Sequence, residues 1–343
     1  MSIIRARAPL RLGIAGGGTD LSPYCDRFGG YVINVTIDRY AHVVIKLLDR
    51  PVVRFVATDL QVALEKSTSE ELVLNGTLDL HKAVYKHMIE NFNGGNRISM
   101  EVTTLCDAPM GSGLGSSSTI VVAMVKAFSK LLDINLSKKD IAKLAYRIER
   151  IDCGYQGGRQ DHYSASFGGF NFMEFYADDK VIINPIPISN WAKLELETSL
   201  ILYFTGVSRH SSLIIEDQTN SIKTGLTEEL NAMHRIKAEA LAMKECLLSG
   251  DFRGIVLSMN RGWEMKKRSS AKVSNLEINK LYQEALNSGA LAGKVSGAGG
   301  GGFMWFFVPP EFKMDLARNL SAFGGQVSNC NFTEHGAQAW KIG

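Results

Sequence analysis

The stretch PMGSGLGSSST, residues 109–119, decides how this chain is read. It follows RISMEVTT (97–104), in which Ile98, Met100 and Val102 alternate onto one face of a strand. It precedes a run in which Val121, Met124, Val125, Phe128 and Leu132 recur at helical spacing, so a helix is expected over 117–132. A plain connection between the two needs only one or two turn residues. Three glycines and a run of hydroxyl residues describe instead a backbone free to approach a ligand closely. The first turn of a helix has unpaired N–H groups and the positive end of the helix dipole. Loop and helix together read as a phosphate cradle, with Ser116, Ser117, Ser118 and Thr119 offering hydroxyls to phosphate or Mg²⁺. A helix cap with a flexible lead-in is the plainer alternative.

The rest of the chain bounds that reading. Of 343 residues, 45% are hydrophobic and 21% charged, an ordinary globular balance long enough for two domains or one large one. No apolar run approaches the ~18 residues of a membrane helix. The N-terminus, MSIIRARAPLRLG, lacks the apolar core of a secretion signal. Five cysteines at 25, 106, 153, 246 and 330 form no CxxC or metal-like spacing, so no disulfide framework is expected, and the cytoplasm is the expected compartment. A net charge of +3 is too small to suggest nucleic-acid binding; RAR (5–7) and MKKRSS (265–270) read as solvated surface.

Strands are expected in IIRARAPLRLGI, YVINVTI and AHVVIKLL, and a helix over 79–91. Ser137 with Asp140 opens a second helix running to about Arg150, and 151–169 is a glycine-rich run. Strands follow at 170–176, 181–186 and 199–204, then a long amphipathic helix from 226 to Gly250 and another over 251–266. SNLE (274–277) reads as a capping box for a helix ending at Gly289. KVSGAGGGGFMWFFV leads into an apolar strand, and a helix (311–322) and a strand (326–332) close the chain. The composition shift at 187–195 suggests a boundary between domains 1–190 and 191–343. Helices and strands mix without strict alternation, which predicts an α+β fold.

Two more glycine clusters, GIAGGGTD (13–20) and GAGGGG (297–302), flank predicted strands. The spacing fits neither a dinucleotide fingerprint nor, at GALAGKV (289–295), a P-loop. RAPLRLGIAGGGTD, PMGSGLGSSST and KVSGAGGGGF, in that order, resemble the three motifs of the GHMP kinase superfamily, named for galacto-, homoserine, mevalonate and phosphomevalonate kinases. The resemblance spans essentially the whole chain. It implies an N-terminal domain like the second domain of ribosomal protein S5 and a C-terminal ferredoxin-like domain. It also implies ATP as phosphoryl donor, with its phosphates wrapped by Pro109, Gly111, Ser112, Gly113, Leu114, Gly115, Ser116, Ser117 and Ser118.

The same resemblance assigns Asp161, in GGRQDHYSASFGG, to the acceptor hydroxyl, as general base or as the carboxylate that orients it. Glu149, twelve residues earlier, stands where sugar kinases of the family hold Mg²⁺, with Ser117 as the hydroxyl partner and Ser116 or Ser118 as alternatives. Arg11 aligns with an arginine expected near the γ-phosphate. His162 reads as a supporting residue. Thr19 and Asp20 match a sugar-gripping pair, while Gly17 and Gly18 replace the Glu-His of galactokinase-like chains. The AGGGTD form is similar to that of the heptose-phosphate and fucose kinases of the superfamily, and the chain length favours the first. That implies phosphorylation of the C1 hydroxyl of D-glycero-D-manno-heptose 7-phosphate to the 1,7-bisphosphate, on the way to nucleotide-activated heptose for capsule or lipopolysaccharide. A free sugar such as fucose, or a catalytically silent sugar and ATP sensor, are the alternatives. A phosphorylated acceptor needs a second anion site, for which Arg159 comes first, then Ser208 and Arg209; Gly299 joins the substrate site from the third motif. A homodimer, with no nucleic-acid or membrane partner, completes the expectation.

Overall fold

The opening strand shows how this sequence is buried. In β1 (Ile3–Ala15), IIRARA alternates with Ile4, Ala6 and Ala8 buried and Arg5 exposed, whereas every residue from Ala8 to Ala15 is buried. The first half therefore has one wet face, and the second half lies inside. The computed structural model describes residues 3–207, 212–224 and 227–343. After β1 come α1 (Tyr24–Phe28), β2 (Gly30–Leu47), β3 (Val52–Ala57), β4 (Val62–Ser67), α2 (Asp79–Phe92), β5 (Met100–Cys106), α3 (Ser116–Leu131) and α4 (Lys138–Tyr146), which runs on as a π-helical turn over Arg147–Asp152. Then follow α5 (Gln160–Phe167), β6 (Phe170–Phe175), β7 (Val181–Pro185), α6 (Asn190–Ser199), β8 (Leu200–Phe204), α7 (Ser212–Thr224), α8 (Thr227–Ser249), α9 (Phe252–Arg268), α10 (Leu276–Asn287), β9 (Ala292–Val295), β10 (Phe303–Phe307), α11 (Lys313–Ser321), β11 (Gln326–Ser328) and β12 (Gln338–Ile342).

Eight strands form the first sheet, in the order β12-β1-β2-β5-β3-β4, with β6 pairing β2 and β7. The register of β1 on β2 slips between Pro9 and Arg11 and again between Gly13 and Ala15, and such irregularities re-aim side chains next to functional sites. Helix α3 packs on β1 and β2. Apart from Ser117, Lys126, Lys130 and Leu131 all of it is buried, as a helix apolar on every side must be. The second sheet has the order β11-β8-β10-β9, all antiparallel, with helices joining β8 to β9 and β10 to β11. That is the ferredoxin-like arrangement. Helices α8 and α9 of this half pack against β1, and β12 returns to pair with β1.

Two boundary expectations are corrected. Asn275, not Ser274, caps α10, accepting from Ile278 N at 2.9 Å, because the Ser274 hydroxyl donates to Asn279 instead. The last predicted strand stops at Ser328, and the chain then crosses to the first sheet, bridging Phe332 to Ile37. The capping box of Ser137 and Asp140 forms as expected.

Candidate active site

The three glycine runs meet. Arg11 N donates to the Leu114 carbonyl at 3.2 Å, and Phe303 N donates to the Ser112 carbonyl at 2.8 Å. Ser296 Oγ donates to the Gly113 carbonyl at 2.9 Å. The middle loop is thus held through its own main-chain carbonyls by donors on both sides, and it borders a cleft of about 710 Å³ between the two sheets' domains. Gly115 caps α3 in the left-handed region (φ +79°), and among the described residues no side chain caps the N–H groups of the first turn. A Cβ on Gly115 would stand 3.0 Å from Asp161 Cγ, so glycine is what lets the start of α3 abut that carboxylate.

Asp161 lies in the first turn of α5, which the glycine-rich run does not announce. Arg11 Nε donates to its Oδ1 at 2.7 Å, Nη2 lies 2.7 Å from the same oxygen, and Nη1 donates to the Gly113 carbonyl at 2.6 Å. Arg11 is buried, whereas Asp161 remains open to the cleft. The guanidinium expected on a donor phosphate is therefore committed first to Asp161 and the loop.

Glu149, fully buried on the π-helical turn, gathers a second cluster. Ser117 Oγ donates to Oε1 and Ser118 Oγ to Oε2, each at 2.6 Å; His162 Nε2 lies 2.6 Å from Oε2 and Arg150 Nη1 3.5 Å from Oε1. Burial pushes this carboxyl up, but Arg150, His162 and Ser117 together outweigh it and hold it down at about 2, so it is ionised.

Asp20, buried at the cleft wall, accepts Gln160 Nε2 (3.1 Å) and Gly18 N (3.3 Å) on Oδ1, and Gln160 N (3.1 Å) on Oδ2. Lys266 Nζ, from α9, donates to the Gly17 carbonyl at 3.0 Å.

Residues 79–169 match the GHMP kinases N terminal domain, and residues 243–324 the GHMP kinases C terminal domain. Along its whole length the chain is 45% identical to D-glycero-alpha-D-manno-heptose 7-phosphate kinase of Campylobacter jejuni, covering 100% of both. The chain belongs to the GHMP kinases. Among solved structures, a D-glycero-D-manno-heptose 1-phosphate kinase from Bacteroides thetaiotaomicron shares 39% of this GHMP kinase's sequence, with a TM-score of 0.83 over 99% of each chain. An L-fucokinase/L-fucose-1-P guanylyltransferase of Bacteroides fragilis is 25% identical over 88% of the GHMP kinase and 34% of its own length.

Most of the residues singled out in the sequence come together in this kinase. Arg11, Gly18, Asp20, Gly111, Gly113, Gly115, Ser116, Ser117, Ser118, Glu149, Asp161 and Gly299 all line the cleft. Others do not. The side chains of Ser112 and Leu114 are buried away from it, and Pro109 stands outside with its carbonyl accepting Ser116 Oγ. Thr19 has its hydroxyl on the main chain of Gly16 and Tyr31, so it braces the first loop rather than gripping a ligand. Gly17 borders a smaller cavity behind the cleft. Arg159 turns away: its guanidinium donates to the Tyr176 carbonyl at 3.1 Å and faces Asp179 at 3.1 Å and Asp26 at 3.6 Å. Ser208 and Arg209 lie outside the described residues. The sequence reading missed Gln160, Arg150 and Lys266. MKKRSS is no solvated block: Met259, Trp263 and Lys266 share the buried stripe of α9, and that spacing is the signal that was available.

Proposed function

We propose that this GHMP kinase transfers the γ-phosphoryl group of ATP to the C1 hydroxyl of D-glycero-D-manno-heptose 7-phosphate, in the cytoplasm, giving the 1,7-bisphosphate for nucleotide-activated heptose synthesis. What carries the proposal is identity along the full length of both chains with a relative named for that acceptor.

In this reading Asp161 takes the proton of the acceptor hydroxyl as its oxygen attacks the γ-phosphorus. The bond from that phosphorus to the β–γ bridging oxygen breaks and ADP leaves. Arg11 holds Asp161 through Oδ1, leaving Oδ2 for the acceptor. The open N–H groups at the start of α3 receive donor phosphate oxygens, while the single O–H of Ser116 is given to the Pro109 carbonyl and that of Ser118 to Glu149. Asp20 and Gln160 orient sugar hydroxyls. Among the described residues no three acidic or histidine and cysteine side chains cluster as an all-protein metal cage. Mg²⁺ asks for less: one or two carboxylates, a hydroxyl and substrate phosphates. Glu149 and Ser117 supply that donor set and would hold it, and the ion would neutralise charge on the transferring phosphates. The division of the chain near residue 190 has its support in the two sheets, whose consecutive strands end at Pro185 and begin at Leu200.

The test is ATP-dependent turnover, with Mg²⁺, on heptose 7-phosphate beside free heptose, fucose and galactose. Strong preference for the phosphorylated heptose is expected. Turnover of a free sugar alone, or of none, overturns the assignment.

A further inference from the structure

The wall of the cleft beside Gly18 holds a cation that the chemistry above leaves unused. Lys266 sits near the end of α9 and is 8% exposed. Among the described residues its Nζ donates once, to the Gly17 carbonyl, and no carboxylate comes within ion-pair distance of it. An ammonium has three donors, so two remain, at a side chain that borders both the main cleft and the smaller cavity behind it. Burial lowers its pKa to about 8, against the opposing pull of Asp20. A buried, unpaired ammonium is costly, and such a cost persists where function needs the charge.

The first loop is shaped around this group. Gly18 has φ +101°, and a Cβ built on it would stand 2.9 Å from Lys266 Nζ. Any side chain there would displace the ammonium. Gln218, from α7, closes the far side: its Oε1 is 3.5 Å from the same Cβ position, while its Nε2 is held by Ser269. The lysine thus stands at a fixed place on the wall that carries Asp20 and, through Gln160, adjoins Asp161.

We propose that Lys266 anchors the phosphate group that the acceptor already carries, with Gly17 and Gly18 leaving the room for it. The inference rests on the reading of the acceptor as a sugar phosphate, and it fills the role that Arg159, turned away from the cleft, does not. A charge-assisted hydrogen bond to phosphate contributes roughly 10- to 10²-fold in affinity, and Lys266 offers two such donors.

The experiment compares kcat/KM for heptose 7-phosphate and for unphosphorylated heptose in the wild type and in Lys266→Met. The preference of the wild type for the phosphorylated acceptor should fall by about 10²-fold in the variant, through KM for the sugar phosphate, while KM for ATP stays within about twofold. Lys266→Gln, which removes the charge and keeps a polar donor of similar length, should lower the same ratio and covers the case of a poorly folded Lys266→Met. If the wild type prefers the phosphorylated acceptor and both variants keep that preference, Lys266 is not the anchor. If the wild type shows no preference, the proposed function fails on its own.

Discussion

Asp161 and Lys266 illustrate opposite uses of charge in one cleft. Asp161 is compensated: Arg11 meets it twice on one oxygen, and the pair leaves the second oxygen available. Replacing it with asparagine keeps the shape and an acceptor for Arg11 but removes the base. Asp161→Asn should lose roughly 10²–10⁴ in kcat with KM for ATP little changed, read by steady-state kinetics; intact turnover would sink the mechanism. Lys266 has no ion-pair partner among the described residues and Asp20 offsets its burial only in part, and this has a stability signature with a definite sign. Its folded pKa, about 8, lies below the ordinary lysine value of 10.5. Between those values the unfolded chain binds more protons than the folded one, so stability rises with pH there, and the full penalty is present below pH 8. Lys266→Met should therefore be more stable than the wild type at pH 7, by about 1–3 kcal/mol, with the margin shrinking as pH rises from 8 towards 10.5. Urea unfolding at pH 7 and pH 10 checks this, and a margin that grows with pH would contradict it. A stabilised but less selective variant is the usual mark of a group retained for function.

Elements differ in how plainly the sequence announces them, and the reason is periodicity. Helix α3 was legible because β5 before it alternates and a glycine loop separates the two patterns. The helix α5 that carries Asp161 was not. It has only eight residues between glycines, and His162, Tyr163, Ser164, Ala165 and Ser166 are all buried, so no polar face marks a helical stripe. The chemistry of Asp161 could be assigned from its motif while its secondary structure could not. The π-helical turn bearing Glu149 is the converse: the pattern carries the second helix to Arg150, as the structure does, but the widened turn that points Glu149 at Ser117 and Ser118 leaves no trace in it. Thr19 and Arg159 failed for a related reason. A motif fixes which residues are near a site, but the partners that claim their polar atoms lie outside it, Tyr31 twelve residues beyond Thr19 and Tyr176 seventeen beyond Arg159, with Asp179 in the same turn.

At the scale of the molecule, the chain does not divide cleanly where its composition shifts. The second half closes its own sheet at β11 and then comes back. Thr333 N donates to the Thr36 carbonyl at 3.0 Å, and Gly169 N donates to the Thr333 carbonyl at 3.1 Å. From there β12 pairs with the whole outer part of β1, Ile3 opposite Ile342 through Arg7 opposite Gln338, and Gln338 Oε1 accepts Arg7 Nε at 3.2 Å and Nη2 at 3.1 Å. Strand β1 therefore has a neighbour on each side, and its second half carries Arg11 into the cleft. Removing residues 338–343 would open that edge, lose the ladder bonds of a five-residue strand, and present unpaired main-chain groups to other molecules. With each bond contributing about 0.5–1.5 kcal/mol net, a chain ending at Ala337 should lose about 2–4 kcal/mol in urea unfolding and scatter more light on warming. The site should suffer with the fold, since the strand that loses its partner is the one that holds Arg11 against Asp161. An unfolding midpoint and a kcat both unchanged by the truncation would mean that β12 only covers the sheet and that the N-terminal half holds its own active-site strand in place.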